Sequence, residues 1–323
     1  MVKHIDWESQ IGRKLRLRDL YAFITVARFG SMAKGAEKLG VSQPAVSKVI
    51  ADLEHALGVR LLNRSRRGVE PTCYGDALLK RGVVAFDELK QGIRDIEYLA
   101  DPTAGELTIG CADSIAATLL LPIIDEFYAR YPRVVPRVDT LPSPAVNYQG
   151  LLDRNYDLVL GRWPMLLANL PEELKADLLF DDRLVVAAGI HTPWARRRKI
   201  DLGRLVGEPW ILPPRESWTY SFVSDAFRAR ALAMPRVDVM TFSLPLAMHL
   251  LANGPFITVF PRSVMSLYSE QRHLKILPVD LPAHSWPVVI LTLKNRILSP
   301  VVERFAECAH EVAKLFSGKI PRP

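Results

Sequence analysis

The chain has 323 residues, of which 24% are charged and 49% are hydrophobic, a balance typical of soluble globular proteins. Its longest apolar stretches, residues 116–124 and 244–252, are shorter than the ~20 residues that a membrane-spanning helix needs. The N-terminus lacks the apolar segment of a signal peptide. Three cysteines, Cys73, Cys111 and Cys308, are far apart and odd in number, which argues against a disulfide framework or a zinc site. The sequence therefore predicts a reduced, cytoplasmic protein of two or three domains, with no metal and no cofactor.

The positive charge lies almost entirely in the first quarter of the chain. Residues 1–75 hold thirteen Lys and Arg against seven Asp and Glu, so they carry +6 of the formal net charge of +7. A basic face on its own is usually just solvated, but a concentrated excess is also the electrostatic feature of nucleic-acid-binding domains. This quarter is therefore where a DNA-binding motif is expected.

Residues 31–50 predict two helices joined by a tight turn. Ser31 can cap the first helix, Gly40 can end it in the left-handed conformation, and Ser42 can cap the second helix. Pro44 then falls in the first turn, where no backbone N–H is needed. The apolar stripe of the second helix leaves small or polar side chains on its outward N-terminal face: Gln43, Ala45, Ser47 and Lys48. This division is typical of a helix that reads DNA, and the alternative is an ordinary helical hairpin.

The segments on either side of these helices favour the DNA-binding interpretation. An amphipathic helix over residues 17–27 precedes them, and residues 59–72 predict two short strands around a basic tip, which is the pattern of a wing. Arginines at such a tip are expected over phosphates or in the minor groove. We therefore predict DNA contacts at Ser31, Ser42, Gln43, Pro44, Ala45, Ser47, Lys48, Arg64, Arg66 and Arg67.

The same region resembles the N-terminal domain of the LysR-type transcriptional regulators. The resemblance rests on Leu20-Tyr-Ala-Phe-Ile-Thr-Val-Ala, Gly30-Ser-Met and Val41-Ser-Gln-Pro-Ala-Val-Ser-Lys, followed at fixed spacing by Leu53-Glu54, Leu57-Gly58-Val59, Asn63-Arg64 and Pro71-Thr72 with Gly75. It extends over the whole chain, and residues 66–75 and 292–296 are most similar to the galactose-binding-protein regulator branch. One departure is Gly35, where the family usually has alanine; glycine inside a helix costs about 1 kcal/mol relative to alanine.

A long helix is predicted over residues 74–100, because no proline interrupts the chain there before Pro102. Apolar or small residues recur along it at alternating steps of three and four: Leu79, Gly82, Phe86, Leu89, Ile93, Ile96 and Ala100. Such a seam predicts a coiled-coil contact between two subunits, although the same face can instead pack on its own domain. The resemblance implies a homodimer or homotetramer, which would set two recognition helices against a palindromic site.

Beyond Gly105 the pattern changes to alternating strands and helices. Strands are predicted at 106–111, 133–140 and 156–161, with helices at 114–131 and 145–153, and this βαβαβ order predicts a parallel sheet. A second set places strands at 183–189, 210–212, 237–242 and 256–260, with helices at 220–231 and 244–252. The chain then returns through a strand at 286–293 to a closing helix at 301–316. Two α/β lobes joined by two crossings are the architecture of periplasmic binding proteins, and the LysR resemblance implies the same effector-binding fold.

The predicted fold is thus an N-terminal all-α winged helix-turn-helix with a linker helix, followed by a C-terminal α/β two-lobed, periplasmic-binding-protein-like effector domain. The predicted boundaries are 1–75 for the DNA-binding domain, 76–103 for the linker and dimerisation helix, and 104–323 for the effector domain. Within the effector domain, one lobe is expected to comprise residues 104–180 and 284–323, and the other residues 181–283.

A ligand of such a fold is expected between the lobes, at the ends of strands and the starts of helices. These positions select seven candidate effector-binding residues: Ser114, Thr140, Arg162, Trp163, Pro214, Trp218 and Ser243. Arg162 can pair with a carboxylate or hydroxyls of a ligand, and Trp163 can stack on its ring; the alternatives are a structural ion pair and packing within the lobe. Asp113 or Ser114 can equally cap the helix. The basic run 196–199 is either a polyanion patch or a solvated loop.

The sequence carries no recognised catalytic motif. It lacks a GxSxG elbow, a GxxxxGK[ST] loop, a GxGxxG fingerprint and an HExxH pair, and its seven histidines show no metal-ligand spacing. We therefore expect no catalytic residues and a transcriptional regulator that binds double-stranded promoter DNA. Its small-molecule effector is expected to be a sugar, a sugar acid or an aromatic acid. Two alternatives remain: an α/β region that only assembles subunits, and an enzyme joined to a DNA-binding arm.

Overall fold

The computed structural model describes residues 15–65, 68–141, 148–163, 170–268, 273–282 and 284–317. The chain forms two compact units, Met1–Arg94 and Asp95–Pro323, and each is described by itself. None of the described helices is both long enough and apolar enough to cross a membrane.

From residue 15, where the description of the first unit starts, three helices are followed by a two-stranded sheet. Its elements are α1 (Leu17–Phe29), α2 (Met32–Leu39), α3 (Gln43–Leu57), β1 (Leu62–Ser65) and β2 (Gly68–Pro71). Because β1 and β2 pair antiparallel, the predicted pair of wing strands is confirmed. Two of the predicted DNA-contacting residues, Arg66 and Arg67, lie outside the described residues.

Polar caps set the ends of α2 and α3 as the sequence predicts. The Ser31 hydroxyl accepts the Lys34 N–H, and the Ser42 hydroxyl accepts the Ala45 N–H, each at 3.4 Å. Gly40 has a φ of 67°, a left-handed conformation that ends α2 within one residue. Since one helix stops and the next starts within a few residues, the turn between them has a fixed geometry.

The core of the first unit explains why a glycine stands inside α2. Val26 of α1 is fully buried. A Cβ added at Gly35 would lie 2.8 Å from Val26 Cγ2 and 3.2 Å from Val26 Cα, closer than side-chain atoms normally pack. Gly35 therefore lets α1 and α2 approach more closely than alanine would allow, which gives this departure from the family pattern a packing reason.

The predicted coiled-coil seam behaves differently along the two halves of α4 (Cys73–Ala100). In the first half, Leu79 and Phe86 pack against the core of the first unit, where the Phe86 ring lies 5.3 Å from the Tyr21 ring. In the second half, Ile93 and Ile96 are 58% and 67% exposed. The first half therefore follows the alternative interpretation, packing on its own domain, whereas the seam residues Ile93 and Ile96 of the second half are left exposed by the described residues.

The first sheet of the second unit is built from β3 (Ala104–Ala112), β4 (Arg133–Leu141), β5 (Leu158–Arg162), β6 (Leu174–Asp182) and β12 (Trp286–Leu293). Their order across the sheet is β4-β3-β5-β12-β6. β3 is parallel to β4 and β5, but β12 is antiparallel to both of its neighbours. The parallel arrangement predicted for the strands at 106–111, 133–140 and 156–161 is therefore confirmed, while the returning strand β12 enters the sheet in the opposite direction. Strand β6 was not predicted from the sequence.

Helices cover this first sheet. They are α5 (Asp113–Ile115), a π-helical turn (Ala116–Leu120), α6 (Leu121–Arg130), α7 (Gln149–Leu152) and α11 (Pro300–Ser317). The core between α6 and α11 contains the fully buried rings of Phe127 and Phe305, whose centroids are 5.3 Å apart. α7 is the described part of the helix predicted at 145–153, since residues 142–147 lie outside the described residues.

The second sheet contains β7 (Leu184–Gly189), β8 (Trp210–Leu212), β9 (Val237–Met240), β10 (Ile257–Pro261) and β11 (Leu274–Ile276), in the order β11-β7-β10-β8-β9. Its helices are α8 (Trp218–Arg228), α9 (Leu244–Asn253) and α10 (Arg262–Tyr268). β8 is parallel to β9 and β10, whereas β7 is antiparallel to β10 and β11. The buried Trp210 ring anchors this lobe, and its Nε1 donates to the Leu205 carbonyl at 2.9 Å.

Candidate functional site

The N-terminal end of α3 presents a polar, exposed face. Gln43, Ala45 and Lys48 are exposed, Ser47 is half-buried, and the Ser42 cap beside them is exposed. Pro44 is also exposed, while the opposite face of the helix is buried in the core through Val46, Ile50 and Leu53. The exposed end of the helix thus carries short hydrogen-bonding side chains and one cation, and the major groove of DNA is wide enough to admit such a helix.

Hydrogen bonds fix the wing against the helices. Glu54 of α3 accepts the Leu61 and Leu62 N–H groups through Oε1, at 2.7 and 3.1 Å. On the other strand, the Val69 N–H donates to the Gly30 carbonyl at 2.9 Å, between α1 and α2. Arg64 on β1 is exposed. The wing strand that carries this cation is therefore held at a set distance from the exposed end of α3.

A cleft opens between the two sheets of the second unit and encloses about 860 Å³, including its open side. Its wall is mostly apolar, with Leu212, Trp218, Phe242 and Phe260 among the lining residues. A few polar side chains also face it: Ser114, Arg162, Thr241 and Ser243. An apolar wall with a few convergent polar groups is the usual composition of a small-molecule site.

The polar corner of the cleft is a buried ion pair. The Arg162 guanidinium lies 3.1 Å from Asp182 Oδ2 through Nη2, and it donates to Ser114 Oγ at 2.9 Å and to Ser263 Oγ at 3.0 Å. The Ser263 hydroxyl donates to Asp182 Oδ2 at 2.6 Å. Burial lowers the pKa of Arg162, and the Asp182 charge opposes that shift. The structural ion pair that the sequence left open is thus present, and through Ser263 of α10 it joins the two lobes.

A second contact between the lobes involves the start of α9. Asp113 accepts the Leu244 N–H through Oδ2 at 3.0 Å, although the two residues lie in different lobes. The Ser243 hydroxyl caps the same helix by accepting the Leu246 N–H at 3.4 Å. Neither Asp113 nor Ser114 caps its own helix, whose N-cap position is held by Ala112. Asp113 therefore acts on the helix across the cleft.

Four of the seven candidate effector residues line the cleft: Ser114, Arg162, Trp218 and Ser243. Thr140 is exposed on the edge strand β4 and does not line the cleft, although its neighbour Leu141 does. Trp163 is buried within the first lobe, its ring 6.2 Å from that of Trp218. Pro214 is also absent from the lining, where its neighbour Pro213 takes the place. A position at a strand end does not decide which way the side chain points, because successive side chains alternate between faces.

The partners that orient Arg162 were not predicted from the sequence. Asp182 is 20 residues away and Ser263 is 101 residues away, so no local pattern links either to the arginine. Asp182 stands at the end of β6, and recognising that strand would have marked it as a candidate. Phe242 and Phe260 are the last residues of two predicted strands, so they had the same strand-end position as the candidate residues that were chosen.

None of the three cysteines lines the cleft. Cys111 and Cys308 are buried and Cys73 is exposed. Burial raises the pKa of the Cys111 thiol to about 12, with a smaller effect from Asp113 and Asp139. Within the part of the chain that the structure describes, no group of three His, Cys, Asp or Glu is arranged to hold a metal ion.

Comparison with known families gives two matches that together cover most of the chain. Residues 17–76 match the family described as "Bacterial regulatory helix-turn-helix protein, lysR family", and residues 100–314 match "LysR substrate binding domain". The HTH-type transcriptional regulator GbpR of Azospirillum brasilense is 28% identical over 296 residues, which are 89% of this chain and 83% of that protein.

Solved structures share the fold over nearly the whole chain. Full-length CbnR in complex with its target DNA is 20% identical, with a TM-score of 0.61 over 92% of this chain and 100% of that chain. A full-length variant of OxyR from Pseudomonas aeruginosa is also 20% identical, with a TM-score of 0.66 over 93% of this chain and 95% of that chain. The chain therefore shares its overall fold with these solved structures.

Proposed function

This chain belongs to the LysR family of bacterial DNA-binding transcriptional regulators, and we propose that α3 reads its promoter site while a small molecule in the cleft controls it. One observation carries the DNA-reading part of the proposal. The N-terminal end of α3 is exposed and polar through Gln43 and Lys48, whereas Val46 and Ile50 on the same helix are buried. A helix so divided can enter the major groove without exposing its core.

Each DNA-contacting residue has a proposed role. Gln43, Ser47 and Lys48 contact base edges, because their side chains offer hydrogen-bond donors and acceptors at the helix end. Ser42 and the wing arginines Arg64, Arg66 and Arg67 hold phosphates. Ser31, Pro44 and Ala45 contact the duplex beside them.

Two substitutions separate base reading from phosphate holding. Gln43→Ala should relax specificity at one base pair by ~1–3 kcal/mol. Arg64→Ala should weaken binding to all DNA sequences alike and reduce the slope of log affinity against log salt concentration by about 1. Lys80→Ala, which removes an exposed cation from α4, is the matched control. The assignment of α3 fails if the footprint and the gel-shift isotherms of Gln43→Ala and Arg64→Ala both equal those of the unaltered protein.

We also propose that the effector is a sugar, a sugar acid or an aromatic acid. Trp218 and Phe242 supply flat apolar surface for a ring, and Ser114 and Arg162 supply hydrogen-bond donors at the polar corner. A thermal-shift panel of these three classes should identify a ligand that raises stability by about 2.7 kcal/mol at one hundred times its dissociation constant. Phe242→Ala should weaken the binding of that ligand. Tyr128→Ala, which removes an exposed ring outside the cleft, should leave its binding unchanged.

The second candidate function is an α/β region that only assembles subunits. It predicts that no compound of the panel shifts the melting temperature of protein that binds DNA normally.

We propose that the regulator acts in the cytoplasm, where promoter DNA is, and that it catalyses no reaction. This proposal is supported by the similarity to GbpR, which is named a transcriptional regulator. Turnover by the protein would contradict this part of the proposal.

The exposed half of the α4 seam is the proposed contact between subunits of a homodimer or homotetramer. Leu89, Ile93 and Ile96 leave apolar side chains uncovered by the described residues, and burying them against a second copy removes that surface from water. Ile93→Asp should shift sedimentation towards the monomer, whereas Lys90→Asp, at an exposed position between seam residues, should not.

The proposed domain boundaries stay at 1–75 for the DNA-binding domain, 76–103 for the linker helix and 104–323 for the effector domain.

A further inference from the structure

We propose that Arg183 and Arg262 form a binding site for a phosphate group, separate from the effector cleft. Neither arginine lines the cleft, although their neighbours Leu184 and Pro261 do. Arg183 lies between the end of β6 and the start of β7, and Arg262 follows β10 as the first residue of α10. This inference does not depend on the identity of the effector or on the DNA-binding residues.

The backbone places the two arginines side by side. β7 and β10 pair antiparallel with Leu184 opposite Pro261, and the Arg262 N–H donates to the Arg183 carbonyl at 2.7 Å. The register therefore continues by one residue and sets Arg183 directly opposite Arg262. Residues directly opposite in an antiparallel ladder point their side chains to the same face, with their Cβ atoms about 5 Å apart. Both side chains are half-buried, so they are neither sealed from ligands nor fully hydrated.

The two arginines carry like charges, and neither of them is paired directly with a carboxylate among the described residues. Neither guanidinium forms an ion pair with a described residue, and the buried Arg183 Nε has no hydrogen-bond acceptor among those residues. Burial lowers the pKa of Arg262 and the charge of Arg183 lowers it further, while Asp182 opposes both effects. Like charges directly opposite in a ladder are destabilising, and so is a buried donor without an acceptor.

The nearby carboxylates are already engaged. Asp182 Oδ1 accepts the Arg183 N–H at 2.8 Å and the Ser263 N–H at 3.3 Å, while its Oδ2 is held by Arg162 and the Ser263 hydroxyl. Asp181, which is exposed, accepts the Ser285 hydroxyl at 2.6 Å through Oδ1. An anion from solution can therefore bind both arginines without displacing these contacts.

A phosphate fits this pair better than a carboxylate does. Two guanidinium groups bring a charge of +2 and several N–H donors, whereas one carboxylate brings a single negative charge and two oxygens that match one guanidinium. A phosphate near neutral pH carries about −1.5 to −2 and has at least three acceptor oxygens, so it can bridge both arginines. Free phosphate and the phosphate group of a small metabolite share this chemistry.

The test measures phosphate binding to the full-length protein by line broadening of the phosphorus NMR signal, at constant ionic strength balanced with chloride. Arg183→Gln and Arg262→Gln should each weaken binding of inorganic phosphate at this site about tenfold or more, since each removes charge-assisted hydrogen bonds. Arg197→Gln removes one exposed arginine from the same lobe and should leave binding unchanged. Acetate should bind more weakly than phosphate.

Three results would overturn the proposal. They are equal binding by the unaltered protein and by both site variants, an equal loss in Arg197→Gln, and acetate binding as tight as that of phosphate. Glycerol phosphate distinguishes the sources: binding as tight as that of inorganic phosphate supports a site open to phosphorylated metabolites, and exclusion supports a site for free phosphate. Stability gives an independent readout, because Arg262→Gln relieves like-charge repulsion. Added phosphate should therefore stabilise the unaltered protein more than this variant, and equal stabilisation would also count against the site.

Discussion

The Asp113 carboxylate accepts the Leu244 N–H at 3.0 Å, so a side chain of one lobe satisfies the first turn of a helix in the other. The free N–H groups at a helix N-terminus carry partial positive charge, and a carboxylate there is stabilising. The contact therefore holds the two sides of the cleft together through the charge of one residue.

Asp113→Asn should weaken this link, because the amide keeps the shape of the side chain but loses its charge. The expected cost is about 0.5–2 kcal/mol of local stability at the start of α9. Hydrogen exchange measured by mass spectrometry should show faster exchange in residues 244–247. Asp225→Asn, at an exposed carboxylate on α8, should leave those amides unchanged. Equal protection in both variants would mean that Asp113 does not hold the helix.

The buried Arg162–Asp182 pair should be far more sensitive to substitution than a surface pair on the same strand. Asp182→Asn leaves the Arg162 charge buried without its counter-charge, and removing one partner of a buried pair typically costs about 3–5 kcal/mol. Asp177→Asn on β6 disrupts the exposed contact with His310 and should cost less than about 1 kcal/mol. Chemical unfolding of the two variants checks the difference. Similar midpoints would show that the buried pair contributes little.

Gly35→Ala should destabilise α2 even though alanine is the better helix former. Alanine gains about 1 kcal/mol in helix propensity, but its Cβ would meet Val26 Cγ2 at 2.8 Å, and overpacking of a core typically costs ~1–3 kcal/mol. Hydrogen exchange across residues 32–39 reports the balance. The double variant Gly35→Ala with Val26→Ala should lose less stability than the sum of the two single losses, since it removes the clashing methyl groups of Val26. Purely additive effects would show that the two residues do not interact.

Only one of the three thiols should react quickly in the folded protein. Cys73 is exposed, whereas burial keeps Cys111 protonated by raising its pKa to about 12. A thiol reagent at neutral pH should modify Cys73 at once and reach Cys111 and Cys308 only after unfolding. Rapid modification of Cys111 in the native protein would contradict its burial.

The same thiol predicts how stability changes at high pH. Unfolded Cys111 ionises near the ordinary thiol pKa of 9.0, whereas the folded thiol, with its pKa raised to about 12, holds its proton. Between these values the unfolded state loses a proton that the folded state keeps, so stability falls as pH rises through this window. Below the ordinary pKa the contribution is fully present. The free energy of unfolding of Cys111→Ala should fall less steeply with pH over the same range. An unchanged slope would assign the loss of stability to other groups.

The sequence predicted best the features whose causes are local. Ser42 and Gly40 mark helix ends through bonds to residues within a few positions, so their spacing is sufficient to place α2 and α3. The Arg162–Asp182–Ser263 network depends on residues brought together only by the fold, and no local pattern contains it. Thr140 shows the intermediate case: its strand was predicted, but its position at the sheet edge depends on β3 pairing with β5 on the other side.

Gly35 and the α4 seam show how packing overrides a pattern. The helix propensity of glycine is poor, yet the close approach of Val26 selects it. The heptad spacing of α4 is uniform, yet Phe86 is covered by the first unit while Ile96 is not. Periodicity identifies the apolar face of a helix but not the surface that covers it.

The change in surroundings along α4 also guides the construction of hybrid sensors. A fusion that keeps this chain through Phe86 and continues with the ligand-responsive half of another regulator retains every apolar side chain of α4 that packs against the hydrophobic core of the first unit. A junction placed before Gly82 would replace part of that core with foreign residues. The splice point for a biosensor made from this protein therefore belongs downstream of Phe86.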